Sequence, residues 1–460
     1  MTGDPAALLG AGFRGQVMVP GDAGYDTARA VWNGAIDRRP DLIARCTGVA
    51  DVLRAVTVAR EQGMDVAVRG GGHNIAGLGV CDGGMVVDLS AMRGVRVNPQ
   101  WQTARAQPGA TWGDYDHETQ AFGLASPGGL MSSTGIAGFT LGGGFGWLSR
   151  AYGLACDNLV EADVVTADGH LVVASADHNP DLFWGLRGGG GNFGIVTSFT
   201  YDLHEVGPDV LCGAVFFRAE RLPDVLRTVR DYVAEGAPDS LFVAATLLIA
   251  PEAPFLPAEV HGTPVVRVGM CWPHDPTDGL AAVAPLRAMP AILADTVQLR
   301  PYGQWQQMLD PGWGPGANNY WKAEYLAVMD EGAIDSIARN FATMTSRDTD
   351  IKLAFLGGAI ARVGSDDTAY THRSAPYILN INTRWETGEP EPHIEWTRRF
   401  WNEMRPYSAG GAYVNFLGQE GHERVLEAYG KAKYDRLTAL KNKYDPANFF
   451  HINQNIPPSV

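Results

Sequence analysis

Three glycine-rich segments carry most of the chemistry this sequence can offer. The first is Arg69-Gly70-Gly71-Gly72-His73-Asn74, entered through Val66-Ala67-Val68. The second runs from Ser126-Pro127-Gly128-Gly129 through Thr134-Gly135-Ile136-Ala137-Gly138 to Gly142-Gly143-Gly144-Phe145-Gly146. The third is Arg187-Gly188-Gly189-Gly190-Gly191-Asn192-Phe193-Gly194-Ile195-Val196. Consecutive glycines let successive amide N–H groups point into one concavity, which suits a pyrophosphate. More than a dozen glycines in three runs exceed what turns alone require and read as a ligand cradle. No Lys-Ser or Lys-Thr follows any of them, which excludes the phosphate loop of nucleotide hydrolases. No G-x-G-x-x-G links a first strand to a long helix, so a Rossmann site fits poorly. His73 ends the first run. Its neutral imidazole, with an ordinary pKa of about 6.5, is a nucleophile, although a lone loop histidine reads as solvent-facing.

The elements that must hold these loops can be traced from periodicity. Val49, Val52, Leu53 and Val56 follow helical spacing, and Gly63 stands where a C-terminal cap belongs. Met64 to Val68 alternates as a short strand, and Met85 to Leu89 is a second, nearly all-apolar one. Glu161 to Thr166 and His170 to Ala174 flank Asp168-Gly169, a hairpin signal. Ile195 to Leu203 is a further strand. Strands grouped in this way, without regular βαβ alternation, favour an α+β fold. From Glu205 to Ser408 the character changes: seven of the twelve tryptophans fall between Trp272 and Trp401, and glycine clusters stop until Gly357-Gly358. That stretch reads as a second domain shaping a substrate cavity. Leu426 to Tyr444 reads as helix apart from Gly430, and Asp445-Pro446 ends it. The amide-rich tail His451-Ile452-Asn453-Gln454-Asn455-Ile456 either closes over a ligand or frays.

Bulk properties narrow the classes of partner. The net charge of −15 lacks the basic footprint that nucleic acid or an anionic membrane requires. No apolar run approaches a membrane span, and Met1 to Gly15 does not read as a secretory leader. The five cysteines are widely spaced and form no CxxC pair, so neither a zinc site nor a disulfide framework is expected, and a reducing cytoplasm is the simplest location.

The strings RGGGH, GGGFGWLSRAYGL, RGGGGNFGIVT and KYDPANFFHINQNI occur in that order between about Trp32 and Pro457. Together they resemble the berberine-bridge-enzyme-like oxidases of the vanillyl-alcohol-oxidase flavoprotein superfamily. The resemblance implies a PCMH-type FAD-binding domain in two parts, residues 1–204 and 409–460. Between them it implies a substrate domain, residues 205–408, with an antiparallel sheet covered by helices. It also implies FAD joined through its 8α-methyl to the imidazole of His73, which raises the flavin's potential. Many relatives add a cysteine–flavin bond in a G-x-C-x-x-V-G setting. The matching stretch here is Gly129 to Gly135, with Met131 in the cysteine's place. A thioether cannot form that bond without losing its methyl group, so a single link is expected. The resemblance further assigns the pyrophosphate to the backbone of Val68, Arg69, Gly70, Gly71 and Gly72, with Asn74 beside it. It gives the flavin and its chain to Pro127, Gly128, Gly129, Ser132, Thr134, Gly135, Gly138, Gly143 and Gly144. Gly194 and Val196 fall on the adenine side, Tyr413 and Asn415 near the ring, and Gln454 and Asn455 in the closing tail.

Sugar and alcohol oxidases of that family use a tyrosine base in a Y-x-N-Y arrangement. A phenol with a pKa of about 10 needs a neighbour's help to take a proton. In Tyr413-Val414-Asn415-Phe416 the second tyrosine is a phenylalanine, which disfavours the usual carbohydrate scheme. With Met131, IDRRPDLIARC and AYGKAKYDRL, it resembles a bacterial subgroup typified by the enterocin-pathway favorskiiase, a flavin-N5-oxide oxygenase. Candidate acid–base groups are Tyr413, Tyr320, Lys322, Tyr152 and His117, each with a plain structural alternative as buried phenol or solvated side chain. The expectation is an FAD-dependent oxidase acting on a small, secondary-metabolite-like molecule with O2 as re-oxidant. It has no metal and no nucleic-acid or membrane partner, and is a monomer or homodimer. An N5-oxide monooxygenase, an oligosaccharide or alcohol oxidase, and a dehydrogenase are the alternatives. A nicotinamide enzyme or a non-catalytic flavin carrier would be a different class.

Overall fold

The computed structural model describes residues 5–459; Met1 to Asp4, the start of the stretch expected not to be a leader, lie outside them. Near the N-terminus a four-stranded sheet has the order Gln16–Met18, Leu42–Arg45, Met85–Asp88, Val66–Arg69. Only the first pair is antiparallel. Leu42, Ile43, Met85, Val86 and Val87 are buried on both faces, as parallel strands are. The helix Val49–Gln62 carries the chain across, and Gly63 caps it in the left-handed region at φ 63°. One βαβ crossover therefore does occur, in a region whose strands otherwise group antiparallel. Arg69 and Asp88 are register partners at the carboxyl ends of their strands. Their side chains form a buried pair, Nη2 to Oδ2 at 2.7 Å, and Asp88 also accepts from Arg45 Nε at 2.9 Å. Burial alone would raise the Asp88 carboxyl, but the Arg69 charge and these hydrogen bonds outweigh it and hold it low. The first glycine run leaves the sheet at this fixed point.

A second sheet is fully antiparallel, in the order Val95–Asn98, Thr103–Ala106, Ile195–Asp202, Leu159–Val165, Leu171–Ser175. The expected hairpin is its last pair, with Gly169 at φ 82° in the connecting loop. The largest sheet has eight antiparallel strands. Its centre runs Asp209–Arg218, Pro264–Trp272, Phe242–Ile249, Asp350–Phe355, Tyr377–Trp385, Asn318–Leu326. Alternation with period two separates its faces. Val243, Ala245, Val266, Val268, Ile351, Leu353, Leu379 and Ile381 pack with residues of the helices Leu222–Glu235, Glu331–Ala342 and Glu391–Met404. Phe242, Ala244, Cys271, Ala354 and Ile378 face Phe145, Trp147 and Tyr413 from the chain's two ends. The α+β expectation, with helices covering an antiparallel sheet, is met.

The C-terminal helix is broken at Gly430, φ 68°, into His422–Tyr429 and Lys431–Tyr444. Tyr434, Leu437, Leu440 and Ile456 pack in one core with Phe193, Val196 and Phe199. The tail is docked, not frayed. Fully buried Lys441 pairs with Asp445 at 2.7 Å and donates to the carbonyls of Asn192 at 2.9 Å and Phe450 at 2.8 Å. One ammonium thus ties the third glycine run to the tail. Among the described residues, no helix is long and apolar enough to cross a membrane.

Candidate active site

A cavity of about 300 Å³ lies between the three glycine runs, the inner face of the large sheet and the C-terminal tail. The first run contributes Val68, Arg69, Gly70, Gly71, Gly72, His73 and Asn74. The second adds Gly129, Thr134, Gly135 and Gly138, and the third Gly194 and Val196. Tyr413, Asn415 and Gln454 complete the sequence-predicted lining.

The walls suit a dinucleotide with a fused ring. Among the described residues, the amides of Gly70, Gly71, Gly72 and His73 donate to no protein acceptor, so a run of N–H groups is free for an anion. Gly71 and Gly135 meet backbone to backbone: a Cβ on Gly71 would lie 2.5 Å from Gly135 Cα. At Gly138 and Gly191, by contrast, a Cβ would meet no atom within 4 Å. Such close approach and such open glycine surface are both what a cradle requires. The side-chain oxygen of Asn453, which lines the cavity, is buried without a partner. The residues present therefore fit FAD.

His73 stacks on Trp32, with ring centroids 5.3 Å apart at 20°. Trp32 also receives support from Trp313, whose carbonyl accepts its indole N–H at 3.0 Å, and meets Trp321 edge-on at 5.7 Å. Burial in this aromatic setting lowers the His73 pKa to about 4, offset in part by a hydrogen bond from the ring N–H to the Ser133 carbonyl. At neutral pH the imidazole is uncharged and keeps a free lone pair. Met131 lines the same cavity, and none of the five cysteines does.

Tyr413 Oη accepts from the Gly144 amide and from Asn415 Nδ2, each at 2.9 Å. Asn415 also donates to the Phe139 carbonyl at 3.0 Å. Burial raises the Tyr413 pKa well above the ordinary phenol value despite these two donors. The phenol therefore stays protonated. Phe416 packs against it edge-on, centroids 4.8 Å apart.

The other expected residues stand elsewhere. Lys322 forms a buried ion pair with Glu420 beneath the Trp401 indole, and Tyr320 accepts from Arg398 at 3.0 Å on the far side of the sheet. Tyr152 stacks on His204 at 4.0 Å, and His117 faces a separate surface cleft. Ser132 is bound to Asp310, and Gly128 abuts the Trp112 ring. Gly143 lies against Tyr370; Pro127, Gly144 and Asn455 also lie off the cavity lining. Of the tryptophans from Trp272 to Trp401, only Trp321 lines the cavity, while Trp272 and Trp396 are helix-side core. Sequence reasoning missed Lys352, Asn380 and Asn382, which line it from the sheet. A signal existed: two asparagines at period two in the otherwise buried strand Tyr377–Trp385. Among the described residues, no three His, Cys, Asp or Glu side chains gather as metal ligands.

Comparison with known proteins agrees with this geometry. Residues 40–175 match the FAD binding domain family, and residues 412–457 match the berberine and berberine-like family. The chain is 31% identical to (R)-6-hydroxynicotine oxidase of Paenarthrobacter nicotinovorans, over 97% of each chain. It is 28% identical to the xylooligosaccharide oxidase of Thermothelomyces thermophilus, over 95% of this chain and 90% of that one. The crystal structure of 6-hydroxy-D-nicotine oxidase from Arthrobacter nicotinovorans superposes with a TM-score of 0.87 at 29% identity, covering 97% and 98% of the two chains. The berberine-bridge-enzyme-like protein 1 of Physcomitrella patens superposes with a TM-score of 0.88 at 25% identity, covering 99% of each. The chain belongs to the berberine-bridge-enzyme-like FAD-linked oxidoreductases, and it is an FAD-dependent oxidase.

Proposed function

We propose that this oxidase carries its FAD on a single covalent bond from the His73 imidazole, oxidises a small organic substrate and returns the electrons to O2. The observation that carries the reading is the uncharged His73, held by Trp32 at the mouth of a glycine cradle that contains no cysteine. Bound FAD supplies a two-electron acceptor for a substrate C–H bond. The chain's own groups do the rest. The free amides from Gly70 to His73 hold the pyrophosphate, with Arg69 fixed behind them by Asp88. Gly129, Thr134, Gly135 and Gly138 flank the flavin, while Gly194 and Val196 take the adenine side. Residues 1–204 and 409–460 form the cofactor half, and 205–408 form the substrate half. Tyr413, protonated and doubly hydrogen-bonded, orients groups as a fixed donor in place of acting as a base.

Intact-protein mass spectrometry tests this reading. Purified protein is expected to be yellow and heavier than its sequence by one FAD, and the His73→Ala variant to carry no added mass. A parent protein whose mass equals its sequence would overturn the covalent assignment.

A further inference from the structure

The sheet face opposite the glycine runs carries one polar row across four adjacent strands. Thr246 is the register partner of Arg267 on one side and Lys352 on the other, and Lys352 that of Asn380. The next row along is apolar: Gly269, Ala244, Ala354 and Ile378. All four polar side chains line a small recess of about 30 Å³ that continues the cavity between Phe145, Trp147, Phe416 and Leu130, room for one oxygen group and not for a ring. Lys352 is neutralised by Asp350, Nζ to Oδ2 at 3.0 Å, and Asp350 also accepts from Asn382 at 2.6 Å. Arg267 has no carboxylate within ion-pair distance among the described residues; it donates to Thr246 Oγ1 at 3.1 Å. The Asn380 side-chain oxygen is buried without a partner. The recess therefore holds two cations against one carboxylate, inside aromatic walls where an uncompensated charge is costly.

From this row we infer that the recess is a subsite for an anionic oxygen group, so that the substrates are compact aromatic or alicyclic acids. The inference rests on the flavin reading above, because it places the reactive carbon of that substrate on the glycine-run side of the cavity. A carboxylate or phenolate would complete the charge balance through charge-assisted hydrogen bonds from Arg267 and Lys352. A cationic amine would meet Arg267 with like charge. An oligosaccharide would set its hydroxyls against Phe145, Trp147 and Leu130, which offer them little.

The test is isothermal titration of the protein as purified with benzoate, its neutral analogue benzamide and the cation benzylamine. Benzoate is expected to bind at least about tenfold more tightly than benzamide, the scale of one charge-assisted contact, and benzylamine more weakly than both. Arg267→Gln is expected to remove the preference for benzoate, weakening benzoate at least about tenfold and benzamide far less, and Arg267→Lys to restore part of it, which separates lost charge from misfolding. Equal affinities for benzoate and benzamide, an absence of benzoate heat, or a preference that survives in Arg267→Gln would overturn the inference. Colourless protein that still prefers benzoate would sink the flavin reading and leave the subsite standing. Yellow protein with no preference would do the reverse.

Discussion

One methyl group at Gly138 and one at Gly71 separate a glycine kept for a ligand from a glycine kept for packing. Gly138 sits in the short helix Ile136–Leu141, lines the cavity and would present a Cβ to no protein atom within 4 Å. Gly138→Ala should therefore leave the flavin-free protein as stable as the parent or raise it by about 0.5–1 kcal/mol, the helix-interior gain of Ala over Gly. On the proposed placement of FAD, the same methyl would occupy cofactor space in the loaded protein. Overpacking of about 1–3 kcal/mol corresponds to FAD binding roughly 5- to 150-fold weaker. Gly71 is the opposite case. Its Cβ would lie 2.5 Å from Gly135 Cα and 2.6 Å from Gly135 N, both backbone atoms. Ordinary carbon contacts need about 3.5 Å or more, so the two loops must part by about 1 Å. Gly71→Ala should cost the flavin-free protein about 1–3 kcal/mol. Both are measured in a His73→Ala background, where FAD is expected to bind reversibly, by thermal unfolding without FAD and by FAD titration. A Gly138→Ala protein that binds FAD as tightly as its parent would refute the placement of that helix against the cofactor. A Gly71→Ala protein of parental stability would refute the backbone contact between the first two glycine runs.

Lys441→Met should lower stability in denaturant melts by about 3–5 kcal/mol, because it leaves Asp445 buried without its cation and strips a donor from Asn192 and Phe450. Adding Asp445→Asn should recover part of the loss. Asp116, on the helix Trp112–Gln120, is pushed up to about 7 by burial, against one opposing hydrogen bond from Gln306 at 3.1 Å. A carboxyl raised in the folded state supports folding at acid pH and loses that support as pH climbs from about 4 through 7. Asp116→Asn should therefore stabilise the protein at pH ~8 by up to roughly 4 kcal/mol, with the gain shrinking as pH approaches about 4. A gain independent of pH would contradict the buried-carboxyl assignment. Tyr413→Phe should cost about 1–3 kcal/mol in thermal melts by leaving the buried Gly144 amide without its acceptor.

The glycine-run side of the cavity was legible in the sequence because it is written in local signals. The run from Gly70 to Gly72 ahead of His73, and Gly63 at its helix end, depend on neighbours a few residues away. The sheet side was not, because it is written in register. Arg267, Thr246, Lys352 and Asn380 come from four separated segments, and only strand pairing sets them side by side. Lys322 misled for the same reason. Its neutralising partner Glu420 is 98 residues away, so an amine that looks available in the sequence is a buried ion pair in the fold. The tail Asn453 to Ile456 was ambiguous until the contacts of Asn192 with Gln454 and Ile456 fixed it.

Peptide mapping addresses the His73 attachment itself. Trypsin cuts after Arg69 and Arg93, so His73 lies in the peptide Gly70 to Arg93, while Met131 lies in Ala106 to Arg150. Flavin fluorescence and one added FAD mass should travel with Gly70–Arg93 alone, and fragmentation should place the mass on His73. Flavin on the Met131 peptide, or every peptide at its bare mass with the colour left in the supernatant, would contradict a single histidyl link.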